Sequence, residues 1–565
     1  MLKDKTGKAP ANKDIKFVDQ TSETIDLLQN GRPAIPGTSV FSSKPKRRKT
    51  EQTVSPSDNY EQMLNMPLIF TQEMCSLIRS PGAYGLPGLE EPSVDKNFDF
   101  YDEEFDKQNT EGAGSGAGSS DGTKGDQVPR ITGEGNNVTS PYNDQNEFWL
   151  IMYFTRTMCQ FYSLKSPDWT IYAYMGGRLA SQYLPLKYAI LSWTALHYAT
   201  VNGSSKDVAQ QYYNEALNVV MREEFIGGKV HVELLLTTCF FLLQFDIAMG
   251  TRQAKRILRH VWSKLQIGRF FGDIDQSSRP QLSPYGYQIL YFLLHIDIRS
   301  SLFTGNISFP DYVIIPKNQR NVNIVYLTTS KLYDDKASDI AWQTRGVSSD
   351  IFGKDYPKSF TDDDTLLDHI LVTTMRNIMT LGRVIRLRNW LDQCGNSTEF
   401  DPESFQQEVD ELVSENEQLY ETFKSTKMSG RNVQSSMLIC NALVYCAVIL
   451  LDRQIHPNIK SNERCQDAAK EIIKIAVKLN TIRDSQYPRS QLWPFPLLIA
   501  GIETTDPIYQ AWVLDAFKEY STKGWGIHIT KAVRLLEECL RKQGEEDVRV
   551  DVGEVMMNVT GVFII

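Results

Sequence analysis

Apolar residues recur at helical spacing in stretch after stretch beyond Asn146, and this period restricts the chain to a helical architecture. Leu186, Ala189, Ile190, Trp193 and Leu196 fall at offsets of 0, 3, 4, 7 and 10, one face of a helix. Asn202-Gly203 stops that helix, and Ser205 can cap the next, whose stripe is Val208, Tyr212, Ala216 and Val219. Further helices are expected over 231–249, 251–266, 284–304, 361–390, 402–426, 432–453, 463–480, 506–520 and 526–542. In the 402–426 stretch Phe405, Val409, Leu412, Leu419 and Phe423 share a face. Asp362 to Asp364 open the 361–390 stretch and Arg383, Arg386 and Arg388 close it, the arrangement a helix dipole favours. Met437 to Leu451 is an apolar run of fifteen residues interrupted by Asn441. That is short of the ~18 to 20 residues that span a bilayer, so a buried helix is expected. No alternating Val/Thr-rich run is long enough for a sheet, and no fixed-period repeat occurs. The expected fold class is all-α: an irregular multi-helix bundle over 146–565, with several helices buried all round.

Residues 1–145 have a different composition, rich in Lys, Ser, Gly, Pro, Asp and Asn. In 111–135 eight of 25 residues are Gly. Such a stretch buries too little apolar surface to offset its ordering entropy, so a long disordered N-terminal tail with a Gly/Ser-rich linker is expected. Its one apolar island, Met63 to Ile78, suits a short helix after Pro67 that docks on the main body or a partner. Lys44, Lys46, Arg47, Arg48 and Lys49 place five cations in six residues around Pro45, an exposed basic peptide suited to a nuclear import receptor. Asp95 to Lys107 interleaves Phe98, Phe100, Tyr101 and Phe105 with six carboxylates, the composition of an activation-like, partner-binding segment.

Composition sets the outer limits. With 41% hydrophobic residues in a 565-residue chain there is material for a sizeable core. A net charge of −9 argues against nucleic-acid binding through bulk positive charge. The eight cysteines are scattered without a C-x-x-C, which fits buried, reduced thiols in a nuclear or cytosolic protein and no zinc site of the usual spacing. The first residues show no apolar secretory core, and no membrane role is expected.

Sequence patterns for catalysis are weak. The 361–368 stretch, TDDDTLLD, has carboxylates only at Asp364 and Asp368 in i, i+4 relation and lacks the i, i+1, i+4 set that bridges two magnesium ions. It is read as a helix start. The Gly-rich GAGSGAG at 112–118 fits no phosphate-binding spacing. The seven histidines are dispersed, with no H-E-x-x-H and no G-x-S-x-G, so no catalytic or metal residues are expected and the chain is read as a non-enzyme.

Several segments together resemble the regulatory region of fungal zinc-cluster transcription factors, the fungal-specific transcription factor domain of the second type. They are FWLIMYFTRTMCQFYS, YLPLKYAILSWTALHYA, QQYYNEALNVV, LYFLLHIDIRSSLFTGN, CNALVYCAVILLDRQI and the terminal GVFII. The most telling is QLWPFPLLIAGIETTDPIYQAWVLDAF, which carries the family's core motif as Trp493, Pro494, Ala500, Gly501, Glu503 and Trp512. These residues read as packing elements: Trp493 as a buried anchor, Pro494 and Pro496 as breakers giving an extended lead-in, and Gly501 as a site of close helix contact.

The resemblance implies a nuclear transcription regulator of RNA polymerase II genes, with the helical body transmitting activity and responding to a small-molecule effector. Transcription machinery or coregulators, and a homodimer partner, are the implied contacts. Zinc is expected only if a six-cysteine cluster lies upstream, and sequence-specific DNA contact only through such a cluster. Two other readings are a helical scaffold or corepressor acting solely through protein partners and, more remotely, an enzyme using an all-α cavity. The composition boundary generates a direct test. Limited trypsin digestion is expected to leave a stable fragment beginning near residue 140, and a resistant product retaining residues 20–60 would contradict the two-part organisation.

Overall fold

The computed structural model describes residues 144–162, 167–222, 229–251, 253–267, 282–303, 338–394, 401–425, 431–482, 493–546 and 548–565. Among them every regular element is helical and no strand occurs. Helix α1 (Asp144–Tyr153) passes through a π-helical turn, Phe154–Met158, into Cys159–Tyr162. Helix α2 (Ile171–Tyr174) is capped by Thr170, whose hydroxyl accepts from the Ala173 amide at 2.9 Å, and ends in a second π turn, Met175–Leu179.

Helix α3 (Leu184–Asn202) has Pro185 in its first turn, where a missing N–H costs nothing, and stops at Gly203 in the left-handed region, φ 63°. Helix α4 (Asp207–Arg222) follows; the Ser205 hydroxyl accepts from the Asp207 amide at 3.2 Å, as expected of a helix-start residue. Helix α5 (Lys229–Met249) is apolar on all sides, with Phe240, Phe241 and Phe245 at most 1% exposed. At ~1.5 to 3 kcal/mol for each such side chain, α5 is the axis on which α3, α4, α6 (Ala254–Ile267) and α7 (Pro284–Ser300) converge. Helix α7 ends at Ser300, short of the expected 304, in a turn over 301–303.

A short α8 (Val347–Phe352) leads to α9 (Thr361–Cys394), whose 34 residues reach about 50 Å. The second axis is α11 (Arg431–Ile455), surrounded by α9, α10 (Pro402–Ser425), α12 (Glu463–Ile482) and α13 (Phe495–Glu503). Both α5 and α11 contain apolar stretches long enough to cross a bilayer, and both are mostly buried by neighbouring helices. Helices α14 (Pro507–Thr522), α15 (Ile527–Glu546) and α16 (Val552–Val559) complete the second group. The two groups meet along a seam where α7 packs on α9 and α5 on α15, and one contiguous core runs through both. Lys531 of α15 donates to the Gly250 carbonyl at 2.8 Å across it.

Helix α13 begins at Phe495 with Pro496 in its first turn, where proline's fixed φ suits it, and the chain at 483–492, where the extended lead-in is expected, lies outside the described residues. Arg383 does not lie at a helix end. It is 2% exposed within α9, forks onto both Glu408 oxygens of α10 and stacks over the Phe405 ring, with 4.5 Å to the centroid. A bidentate partner on the next helix outweighs any dipole effect at that depth.

Inside the second group the thiols of Cys440, Cys465 and Cys539 are buried, and burial pushes each up to about 12. Trp493 is 3% exposed, and its indole N–H points to the Tyr520 hydroxyl at 3.4 Å. Trp493→Ala is expected to cost ~3 to 5 kcal/mol of a total near 5 to 15. Chemical denaturation should show it; a midpoint unchanged from wild type would mean the indole carries no core packing.

Candidate functional site

Several constellations of polar groups interrupt the core, among them one around Glu503 and one at the seam. The first is a buried quartet of charges. Glu503 closes α13, 2% exposed, where Arg453 Nε of α11 donates to Oε2 at 2.5 Å. The Arg549 guanidinium, beyond α15, forks onto Glu503 Oε1 through Nε, at 3.1 Å, and Nη2, while its Nη1 reaches Asp452 Oδ2 at 2.5 Å. The remaining capacity is filled by neutral groups. Gln543 Oε1 accepts from Arg453 Nη2 at 3.1 Å, Asn462 Nδ2 donates to Asp452 Oδ1 at 2.9 Å, and Gln466 Nε2 donates to the Glu503 carbonyl at 2.8 Å.

Two carboxylates and two guanidiniums cancel, so the net charge taken from water is zero. Burial alone would raise the Asp452 carboxyl, but the hydrogen bond and charge of Arg549 prevail and hold it below its usual value. That contribution is present above the unfolded carboxylate range and is lost as pH falls from there through the lowered folded value.

Gly501, two residues before Glu503, explains the local geometry. A Cβ there would lie 2.6 Å from Val513 Cγ1 of α14, so only glycine admits this close crossing. Of the remaining motif residues, Pro494 and Ala500 are buried and Trp512 is half-buried. Glu503 belongs to both the motif and the quartet, and Asp452, Arg453 and Arg549 are members that sequence reasoning missed. Two charges set in the apolar run ILLDRQI were the available signal.

The second constellation is a cavity of about 280 Å³ at the seam, between α2, the start of α8, and helices α7, α9 and α11. Gln288, Tyr291 and His295 on one face of α7 form its polar wall, with Leu367 and Leu371 of α9 and Ile439 of α11 opposite. Burial, with Arg299 one turn further on, lowers His295 well below the usual imidazole range, leaving it neutral. Asp364 and Asp368 also line the cavity, and Asp364 accepts the Tyr356 hydroxyl at 2.5 Å. So the acidic start of α9 serves both the helix end and the cavity wall. Nothing in linear spacing unites these residues; polar groups at i, i+3 and i+7 in an otherwise apolar helix were the one hint.

Among the described residues no group of three or more His, Cys, Asp or Glu side chains is placed to hold a metal. The basic residues Lys44, Lys46, Arg47, Arg48 and Lys49, the aromatics Phe98, Phe100, Tyr101 and Phe105, the Gly-rich linker and the 63–78 island all lie outside the described residues.

The family model of the fungal specific transcription factor domain matches residues 148–557, and the chain belongs to that family. Neither the curated proteins nor the solved structures compared with it give a match.

The quartet has a measurable signature. Glu503→Ala leaves two buried guanidiniums short of an anion and is expected to cost ~3 to 5 kcal/mol. Glu503→Ala combined with Arg549→Ala should cost clearly less than the sum of the two single changes. Additive losses in a denaturation cycle would show that the two side chains act independently.

Proposed function

We propose that this chain is the regulatory and effector portion of a fungal transcription regulator acting on RNA polymerase II genes in the nucleus. The observation that carries the reading is the family match across 148–557, which spans the whole helical body. Membership supports a role in transcription and suggests a regulator rather than an enzyme. In this reading the body transmits a signal and the seam cavity gives a small effector somewhere to act. The basic peptide at 44–49 supplies nuclear import, and the acidic-aromatic segment at 95–107 contacts transcription machinery or coregulators. Phosphates attract such a basic peptide, but reading a base sequence needs side chains held rigidly to base edges. Specific DNA contact would therefore need a six-cysteine zinc cluster, which these 565 residues do not carry.

Two linked measurements test this. Replacing Lys46, Arg47, Arg48 and Lys49 by Ala in a fluorescent fusion is expected to move the 64.4 kDa chain from nucleus to cytoplasm. Joined to an unrelated DNA-binding domain, the full chain is expected to change the output of a reporter carrying that domain's site, and replacing Phe98, Phe100, Tyr101 and Phe105 by Ala should abolish the change. Unaltered nuclear accumulation, or a reporter indifferent to the fusion, would refute the corresponding half.

A further inference from the structure

We propose that the seam cavity binds a compact, uncharged organic metabolite with hydroxyl or amide groups along one edge and hydrocarbon along the other. The inference rests on the regulatory reading above and specifies its effector site and the chemistry of the effector.

The cavity wall carries a hydrogen-bonding group left unpaired, His295 Nε2. Gln288, Tyr291 and His295 are 8%, 3% and 5% exposed, and all three stand on the cavity wall. Buried polar atoms are nearly always paired, because an unpaired one forfeits its hydration for nothing. His295 Nε2 is buried without any hydrogen-bond partner. A row of three neutral hydrogen-bonding groups along about two turns of α7 matches a molecule with polar atoms spaced along one edge.

Among the described residues no Lys or Arg lines the cavity, whereas the carboxylates of Asp364 and Asp368 do. A carboxylate or phosphate ligand would meet repulsion with no cation to offset it. The carboxylates would attract a cation, but Asp364 already accepts from Tyr356 at 2.5 Å, and the cation would lose its hydration against walls made largely of Tyr172, Phe292, Leu367, Leu371 and Ile439. A neutral molecule incurs neither cost.

About 280 Å³ equals the liquid volume of roughly nine waters, enough for about ten heavy atoms. The walls belong to both helical groups, with α7 on one side and α9 and α11 on the other. An occupant there bridges the groups and biases how they pack, which is what a regulatory ligand has to do.

The test uses the purified full chain and three isosteric probes: benzamide, benzoate and benzamidine, which share a skeleton and differ in charge. Ligand-detected NMR titration is expected to give benzamide a Kd of about 1 mM or tighter, within reach of so small a molecule. Benzoate and benzamidine should bind at least about tenfold more weakly. Gln288→Leu and Tyr291→Phe, which preserve volume, should each weaken benzamide by about three- to tenfold, with thermal melts confirming that the variants fold.

Equal binding of the charged probes, undiminished binding by both Gln288→Leu and Tyr291→Phe, or no benzamide binding to folded protein at about 10 mM would overturn the proposal, the last leaving the cavity to water. The reporter fusion keeps the two readings apart. A reporter that works while benzamide fails to bind removes the site alone. Binding with the expected variant losses but a silent reporter sustains the site and removes the regulatory reading.

Discussion

The quartet of Asp452, Arg453, Glu503 and Arg549 is the constraint around which the second half of the body is organised. It gathers the end of α11, the end of α13 and the chain beyond α15 at one point. Each ion there gives up hydration that only the others can replace, so no element can leave without stranding a charge. Ion pairs of this kind add little net stability over well-packed hydrocarbon, but they discriminate strongly among alternative packings. Helices as apolar as α11 and α13 could slide or rotate against their neighbours at small cost. A two-pronged guanidinium on Glu503 allows one register.

A related device holds α9, α10 and α11 together. The Asn377 amide donates to Asn416 Oδ1 and to the Cys440 carbonyl, each at 2.9 Å, and Asn416 donates to the Leu412 carbonyl at 2.8 Å. Both asparagines are fully buried. With Arg383 on Glu408 one and a half turns away, α10 is fixed by hydrogen-bond geometry as well as by hydrocarbon. The seam between the two helical groups has the opposite character. His295 Nε2 on α7 is buried without a hydrogen-bond partner and the packing leaves a void, so the seam is the part of the core best suited to take up a change.

Much of the helical framework is legible in the amino-acid sequence because its causes are local. Periodic stripes, Gly203 after Asn202, and prolines near helix starts act within a few residues of the structure they cause. The expected spans for α5, α10, α12 and α15 fall within a few residues of the observed ends. What was not legible is what depends on contacts far apart in the chain. Arg549 and Asp452 are 97 positions apart, and Arg383 and Glu408 belong to different helices. The π turns at Phe154–Met158 and Met175–Leu179 leave no periodic trace because each adds only a fraction of a turn. The motif residues Trp493, Gly501 and Glu503 could be picked out, but their shared purpose, a close helix crossing beside a buried anion, becomes visible only once α14 and Arg549 are in place.

The deep thiols have an experimental consequence. Thiol-modifying reagents and oxidants attack the thiolate, and a sulfhydryl that ionises near pH 12 presents almost none of it under native conditions. Cys440 lies on α11 close behind Ser436 and Ile439, which face the seam. Its modification rate therefore follows the fraction of time the surrounding helices stand apart. The protein carries a built-in clock for the breathing of its own core, readable without an added label.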